Sequence, residues 1–163
     1  MAGPDRSAGI FYGWIVVAAA FVVTFVGFGT AYTFSSFLGP LQQEFGASRA
    51  SISLVFSLAG FLYFSLGVIS GPLADRFGAR PLVAIGMALV AFGMVAASWA
   101  SSLLAVYAAY SIGIGVGVGC AYVSILGVVQ RWFVRRRGYA SGLAVAGIGV
   151  GTLMVPFAAA SLI

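Results

Sequence analysis

The stretch GPLADRFGARP, residues 71–81, decides how this sequence is organised. Asp75, Arg76 and Arg80 lie close together in it, although only 7% of the residues in the chain are charged. Long apolar stretches flank this segment on both sides. A short charged segment between two long apolar stretches is typical of a loop that connects two membrane-spanning segments.

The composition excludes a water-soluble globular domain. Of the 163 residues, 62% are hydrophobic, which is more apolar surface than one soluble core can bury. The net charge of +5 does not indicate a nucleic-acid partner, because the arginines lie in short loops rather than along one polar face. The chain has no histidine and one cysteine, Cys120, so no metal site, no cofactor and no enzymatic activity are expected.

Charged residues and turn residues divide the chain into five apolar segments. A helix of about 20 residues spans the hydrocarbon core of a bilayer, and the segments lack the alternation of barrel strands. Residues 1–13 show no cleavable signal pattern and are expected to form an N-terminal tail. The sequence therefore predicts an all-α membrane protein with helices near residues 14–38, 52–73, 82–99, 103–129 and 138–163.

The arginines predict the orientation of these helices. Seven of the eight arginines fall on alternate flanks of the apolar segments, and Arg49 falls on the other side. Because loops rich in arginine face the cytoplasm, the N-terminus is expected in the cytoplasm. The expected location is the cell (inner) membrane.

Residues 71–80 read Gly-x-Leu-Ala-Asp-Arg-x-Gly-x-Arg, which resembles the loop between the second and third helices of the major facilitator superfamily of secondary transporters. The resemblance implies a conformational switch formed by Gly71, Asp75, Arg76, Gly78 and Arg80. Gly71 would allow close packing against the second half of the transporter. Asp75 would lie at a helix N-terminus, where the dipole favours a carboxylate, and pair across the interface between the halves. Arg76 and Arg80 would hold the cytoplasmic ends together in one conformation. Ala79 departs from the pattern, and a plain anchor loop is the alternative.

A second run, RWFVRRRGYASGLAVAG at residues 131–147, resembles the monocarboxylate-carrier branch of that superfamily, with its oxalate/formate exchangers. It combines an interfacial aromatic pair, a cationic anchor and a helix of small residues that packs closely. The cytoplasmic anchor consists of Trp132, Phe133, Arg135, Arg136 and Arg137. A generic anchor followed by a generic packing helix is the alternative.

The run GIGVGVG, residues 113–119, places glycines four residues apart on two faces of one apolar segment. Its spacing does not match a dinucleotide-binding loop, and no strand precedes it. Glycines at this spacing let transmembrane helices pack closely. The same spacing occurs at residues 67 and 71 and at residues 147 and 151.

No charged residue lies in the middle of a predicted span, so any substrate contacts from these helices come from neutral groups. The resemblance places the first and fourth helices around a central cavity, which makes Tyr32, Ser36 and Tyr122 candidate substrate residues. Their hydroxyls could donate hydrogen bonds to a carboxylate. Ser36 stands where animal carriers of the branch have a lysine, so proton coupling through a lysine is not expected there. An interfacial aromatic belt is the alternative for the tyrosines, and it is favoured for Tyr107.

The resemblance implies that residues 14–163 are part of the N-terminal domain of a facilitator transporter. The five helices would belong to an incomplete six-helix half, and a C-terminal half would be missing. The expected function is secondary transport of a small organic anion by alternating access, with a coupled proton or counter-anion. Two alternatives remain: a membrane scaffold or sensor subunit without transport, and a facilitator for nitrate, a sugar or a drug.

Overall fold

The computed structural model describes residues 12–133 and 135–161. Its five long helices are α1 (Tyr12–Phe45), α2 (Arg49–Phe77), α3 (Ala79–Ser98), α4 (Leu103–Trp132) and α5 (Arg137–Ala160). Each is long and apolar enough to cross a membrane, and the described residues contain no strand. The predicted all-α membrane fold is therefore confirmed. Residues 1–11 of the predicted tail lie outside the described residues.

Helices α1, α2 and α4 extend beyond the apolar segments that predicted them, whereas α3 ends at Ser98 and α5 at Ala160, short of their predicted ends. A helix keeps its backbone hydrogen bonds until a cap or a left-handed glycine ends it, whatever the polarity of its last turns. Gly46, with φ +58°, follows α1. The hydroxyl of Ser48 caps α2 by accepting from the N–H of Ser51 at 3.1 Å. Ser102 caps α4 in the same way, accepting from the N–H of Ala105 at 3.3 Å.

Short connections make successive helices antiparallel, so the loops alternate between two ends of the bundle. The α1–α2 and α3–α4 connections lie at one end, which carries Glu44 and Arg49 and is termed the opposite end. The α2–α3 and α4–α5 connections lie at the other end. This second end is termed the basic end, and its described arginines are Arg76, Arg80, Arg131, Arg135, Arg136 and Arg137.

Helix α4 contacts all four other helices. Its glycines let two of them, α2 and α3, approach its backbone closely. A Cβ at Gly117 would lie 2.6 Å from a backbone oxygen of α3, and Gly113 lies directly against Gly93 of that helix. On another face, a Cβ at Gly115 or Gly119 would lie 3.0 Å or 3.1 Å from backbone atoms of α2. The prediction that these glycines form close-packing faces is confirmed.

A π-helical turn, Ser111–Val116, interrupts the α-helical hydrogen bonding of α4. The hydroxyl of Ser111 is buried there and has no hydrogen-bond partner among the described residues. A π-helical turn is wider than an α-helical one, yet Gly113 and Gly117 both face α3, and Gly115 and Gly119 both face α2. The π-helical turn lies where both α2 and α3 pack against α4.

Helix α5 packs along α1 through a second set of glycines. Gly147 and Gly151 lie against backbone carbonyls of α1. Thr24, which is 1% exposed, donates a hydrogen bond from Oγ1 to the carbonyl of Ala144 at 2.6 Å. A buried hydroxyl that is satisfied across two helices fixes their register, because an unsatisfied one costs free energy in an apolar environment.

The outer surface of the bundle is apolar. Phe64, Phe92, Leu153 and Phe157 are 69–78% exposed. Such side chains would be unfavourable in water but contact lipid tails when the helices lie in a bilayer. The outward apolar faces therefore agree with five membrane-spanning helices.

Candidate functional site

The residues of the predicted switch lie where α2 turns into α3 at the basic end. Gly78 is the single residue between the two helices, and its φ of +88° is a conformation that glycine adopts without strain. Its N–H donates to the carbonyl of Ala74 at 3.0 Å and closes the last turn of α2. Helix α2 therefore continues through Asp75, which lies in its last turn. The expectation that Asp75 lies at a helix N-terminus is wrong, because the chain turns only at Gly78.

Asp75 forms an ion pair with Arg131 in the last turn of α4. A helix C-terminus disfavours a carboxylate, so this arginine supplies the stabilisation that the helix dipole does not. The two side chains are 64% and 62% exposed, and an exposed ion pair is worth about 0–1 kcal/mol. The pair joins the ends of α2 and α4 and is weak enough to break.

The other two arginines of the predicted switch form no ion pair in the described part of the chain. The guanidinium of Arg76 lies over the ring of Phe77, with 5.4 Å between its carbon and the ring centroid. Arg80 is exposed in the first turn of α3. A Cβ at Gly71 would lie 3.7 Å from Val123 of α4, an ordinary contact, so packing within the described chain does not require a glycine there.

A groove of about 450 Å³ runs between the ends of α2 and α4 beside the ion pair. The Oγ atom of Ser124, a residue 1% exposed, has no hydrogen-bond partner among the described residues. The polar residues that line the groove are Asp75, Ser124, Gln130, Arg131 and Arg137. The predicted switch segment thus borders a groove at the basic end that contains both polar and apolar side chains.

The two aromatic residues of the predicted anchor pack against the start of α1. The ring centroids of Trp132 and Tyr12 lie 5.3 Å apart, as do those of Phe133 and Trp14. The two predicted interfacial aromatics differ in exposure: Trp132 is 42% exposed, whereas Phe133 is 8% exposed and belongs to a core cluster with α1 and α5. The carbonyl of Phe133 accepts a hydrogen bond from Nε of Arg137 at 3.2 Å.

The structure brings Tyr32 and Tyr122 into one aromatic cluster of α1, α2 and α4. Tyr32 is 39% exposed, and its ring packs against Phe56 of α2, with centroids 5.4 Å apart. Its hydroxyl lies near enough to that of Tyr63 on α2 for an electrostatic interaction. The ring of Phe28 stands edge-on to both Tyr63 and Tyr122, with centroids 5.7 Å and 5.1 Å away. The cluster presents hydroxyl groups without a charged side chain.

Tyr63 lies between Tyr32 and Tyr122 in this cluster. The sequence did not identify it as a candidate substrate residue. Its position is determined by Gly119 of α4, since a Cβ there would lie 3.1 Å from backbone atoms of Tyr63. The only signal in the sequence was a tyrosine inside an apolar span. The glycine that positions it is 56 residues away.

Ser36 is the candidate that does not join the cluster. Its Oγ donates to the carbonyl of Pro156 on α5 at 3.2 Å. The hydroxyl thus contributes to packing between α1 and α5.

Two further tyrosines serve helix packing at the opposite end. The hydroxyl of Tyr107 donates to the carbonyl of Ser51, and the hydroxyl of Tyr110 donates to that of Ala31. Tyr107 also packs against the main core cluster. Tyr107 therefore contributes to helix packing near a helix end, and its place in an interfacial belt stays a prediction.

Comparison with known proteins places this geometry in a family. The sequence profile of the Major Facilitator Superfamily matches residues 20–163. The chain belongs to this superfamily. Among similar superfamily proteins, Monocarboxylate transporter 3 of Rattus norvegicus is 36% identical over 148 residues, which cover 89% of this chain and 30% of that protein.

Other relatives within the superfamily carry different names. Monocarboxylate transporter 11 of Mus musculus is 33% identical over 154 residues, covering 94% of this chain and 34% of that protein. The Fujikurins efflux protein of Gibberella fujikuroi is 33% identical over 145 residues, covering 88% and 31%. The chain therefore spans about a third of the length of these relatives, and its resemblance to the monocarboxylate-carrier branch is confirmed.

Proposed function

We propose that this chain is the N-terminal part of a secondary carrier that moves a small monocarboxylate-like anion across a membrane by alternating access. The observation that carries the proposal is the similarity to monocarboxylate transporters over most of the chain. On this proposal the protein is a carrier rather than an enzyme. The five helices belong to an incomplete six-helix half, and the rest of the carrier completes the cavity.

The described helices contribute hydrogen-bond donors to the proposed cavity rather than charge. Tyr32 and Tyr122 offer phenolic hydroxyls from α1 and α4, with Tyr63 between them. An anion in a low-dielectric cavity is costly without a cation. We therefore expect an arginine or lysine within a span of the remaining part of the carrier. Transport would be coupled to a proton that moves with the substrate or to a counter-anion that moves in the opposite direction.

The orientation follows from the charge at the two ends. The described arginines of the basic end outnumber the single Arg49 at the opposite end, which supports a cytoplasmic basic end by the positive-inside rule. The N-terminus then also lies in the cytoplasm, in a protein of the cell (inner) membrane. The ion pair of Asp75 and Arg131 would face the cytoplasm, where it closes or releases the ends of α2 and α4.

Uptake by the full-length protein in proteoliposomes tests the proposed function. We expect accumulation of small monocarboxylates such as lactate, pyruvate or formate, because hydroxyl donors and a cation suit a carboxylate. Glucose carries no charge and should not accumulate, and the similarity to monocarboxylate transporters favours a carboxylate over nitrate. Preloading the vesicles with unlabelled anion distinguishes exchange from proton-coupled uptake. Nitrate or glucose uptake without carboxylate uptake would contradict the proposed substrate class.

Asp75→Asn is expected to slow this uptake by about two- to fivefold. The exposed ion pair stabilises the conformation in which it forms by up to about 1 kcal/mol, and its loss changes the balance between conformations by that amount. The thermal stability of the purified protein should stay nearly constant, because both partners are exposed. Initial uptake rates and thermal unfolding of the same preparation measure the two effects.

Two control variants separate the ion pair from a general effect of charge. Glu44→Gln removes a carboxylate at the opposite end and should leave uptake unchanged. Reversal of the pair with Asp75→Arg and Arg131→Asp should recover part of the rate, since the two groups again attract. A wild-type rate in Asp75→Asn would reduce the segment to a charged anchor.

A further inference from the structure

A surface at the basic end combines aromatic rings with arginines where α1, α4 and α5 meet. Trp14 contacts both Phe133 and Tyr139, with centroids 5.3 Å and 6.2 Å away. Trp132 and Tyr139 are 42% and 62% exposed. This surface lies over the buried ring of Phe133. It is termed the collar and consists of Tyr12, Trp14, Trp132, Arg135, Arg136, Arg137 and Tyr139.

The positive charge of the collar has no acidic counterpart in the part of the chain that the structure describes. The described carboxylates are Glu44, at the opposite end, and Asp75, which pairs with Arg131. The arginines at 135, 136 and 137 are exposed. A Cβ at Gly138 would meet nothing within 4 Å, so the surface beside them is open.

We propose that the collar binds the headgroup of an anionic phospholipid. Exposed tryptophan and tyrosine rings at the ends of membrane-spanning helices sit at the level of the lipid headgroups. The adjacent guanidinium groups of Arg135 and Arg136 then lie at the level of the phosphates, whose oxygens they can bind with paired hydrogen bonds. This geometry favours a lipid over a soluble anion, because the rings hold the arginines at the membrane surface.

Native mass spectrometry of the full-length protein in detergent tests this proposal, with equal amounts of phosphatidylglycerol and phosphatidylcholine as probes. The wild-type protein is expected to retain phosphatidylglycerol preferentially. Each arginine near an anionic surface is worth about fivefold in affinity, or about 1 kcal/mol. The double variant Arg135→Gln/Arg136→Gln should therefore lose about 25-fold in affinity for phosphatidylglycerol.

Matched variants make the outcome specific to the collar. Arg135→Lys/Arg136→Lys keeps the charge but loses the paired hydrogen bonds of the guanidinium groups, so it should bind more tightly than the double glutamine variant and less tightly than the wild type. Retained binding also shows that changes at these exposed positions preserve the fold. Arg49→Gln, at the opposite end, and Arg80→Gln, on α3 of the basic end, should leave the preference unchanged.

Three results would overturn the proposal. The first is an unchanged phosphatidylglycerol preference in the double glutamine variant. The second is an equal loss in Arg80→Gln, which would indicate a diffuse surface charge rather than a site. The third is displacement of the lipid by equimolar glycerol 3-phosphate, which would indicate a site for soluble phosphate compounds.

Discussion

Gly113→Val is expected to abolish stable packing of α3 on α4. Gly113 lies directly against Gly93. The three nearest atoms that a larger side chain would meet all belong to the backbone of α3, which cannot rotate away. Overpacking of a well-packed core costs about 1–3 kcal/mol and more where backbone must move. We expect the variant to lose its monodisperse peak in size-exclusion chromatography in detergent, or to unfold at a much lower temperature.

Gly127→Val provides the matched control for this prediction. It makes the same chemical change on the same helix, but a Cβ at Gly127 meets nothing within 4 Å. Both variants replace glycine with a β-branched residue, so the difference between them isolates the contact with α3. Equal stability of the two variants would show that α3 and α4 do not meet through Gly113.

Tyr32→Phe and Tyr122→Phe are each expected to weaken carboxylate binding by about 10- to 100-fold. Each variant deletes one hydroxyl donor and keeps the ring that packs against Phe56 or Phe28. A hydrogen bond to a charged group is worth about 1.5–3 kcal/mol. Calorimetry or a scintillation proximity assay on the full-length carrier measures the affinity.

Tyr107→Phe distinguishes loss of a substrate contact from loss of a hydroxyl in general. Its hydroxyl donates to the carbonyl of Ser51 at the opposite end, so its removal should lower stability by about 0.5–1.5 kcal/mol and leave affinity unchanged. Wild-type affinity in both Tyr32→Phe and Tyr122→Phe would remove these tyrosines from the substrate site.

The candidate site was only partly predictable from the sequence. Tyr32 and Tyr122 were identified through a resemblance, and the structure brings them into one cluster through Phe28 and Tyr63. Ser36 was identified on the same grounds, yet its hydroxyl donates to Pro156. Ser36 lies one helical turn after Tyr32 on α1. The sequence did not reveal which neighbouring helix Ser36 faces, because this depends on the angle at which the helices cross.

The sequence by itself determined the class of protein, the number of long helices and the glycine faces. These are local properties: an apolar segment of sufficient length must satisfy its backbone hydrogen bonds internally in a bilayer, and glycines four residues apart necessarily share a face. The tertiary structure decided which groups meet across long sequence distances. Asp75 pairs with Arg131, 56 residues away, because the glycines of α4 let α2 approach closely enough for the two helix ends to converge at the same level.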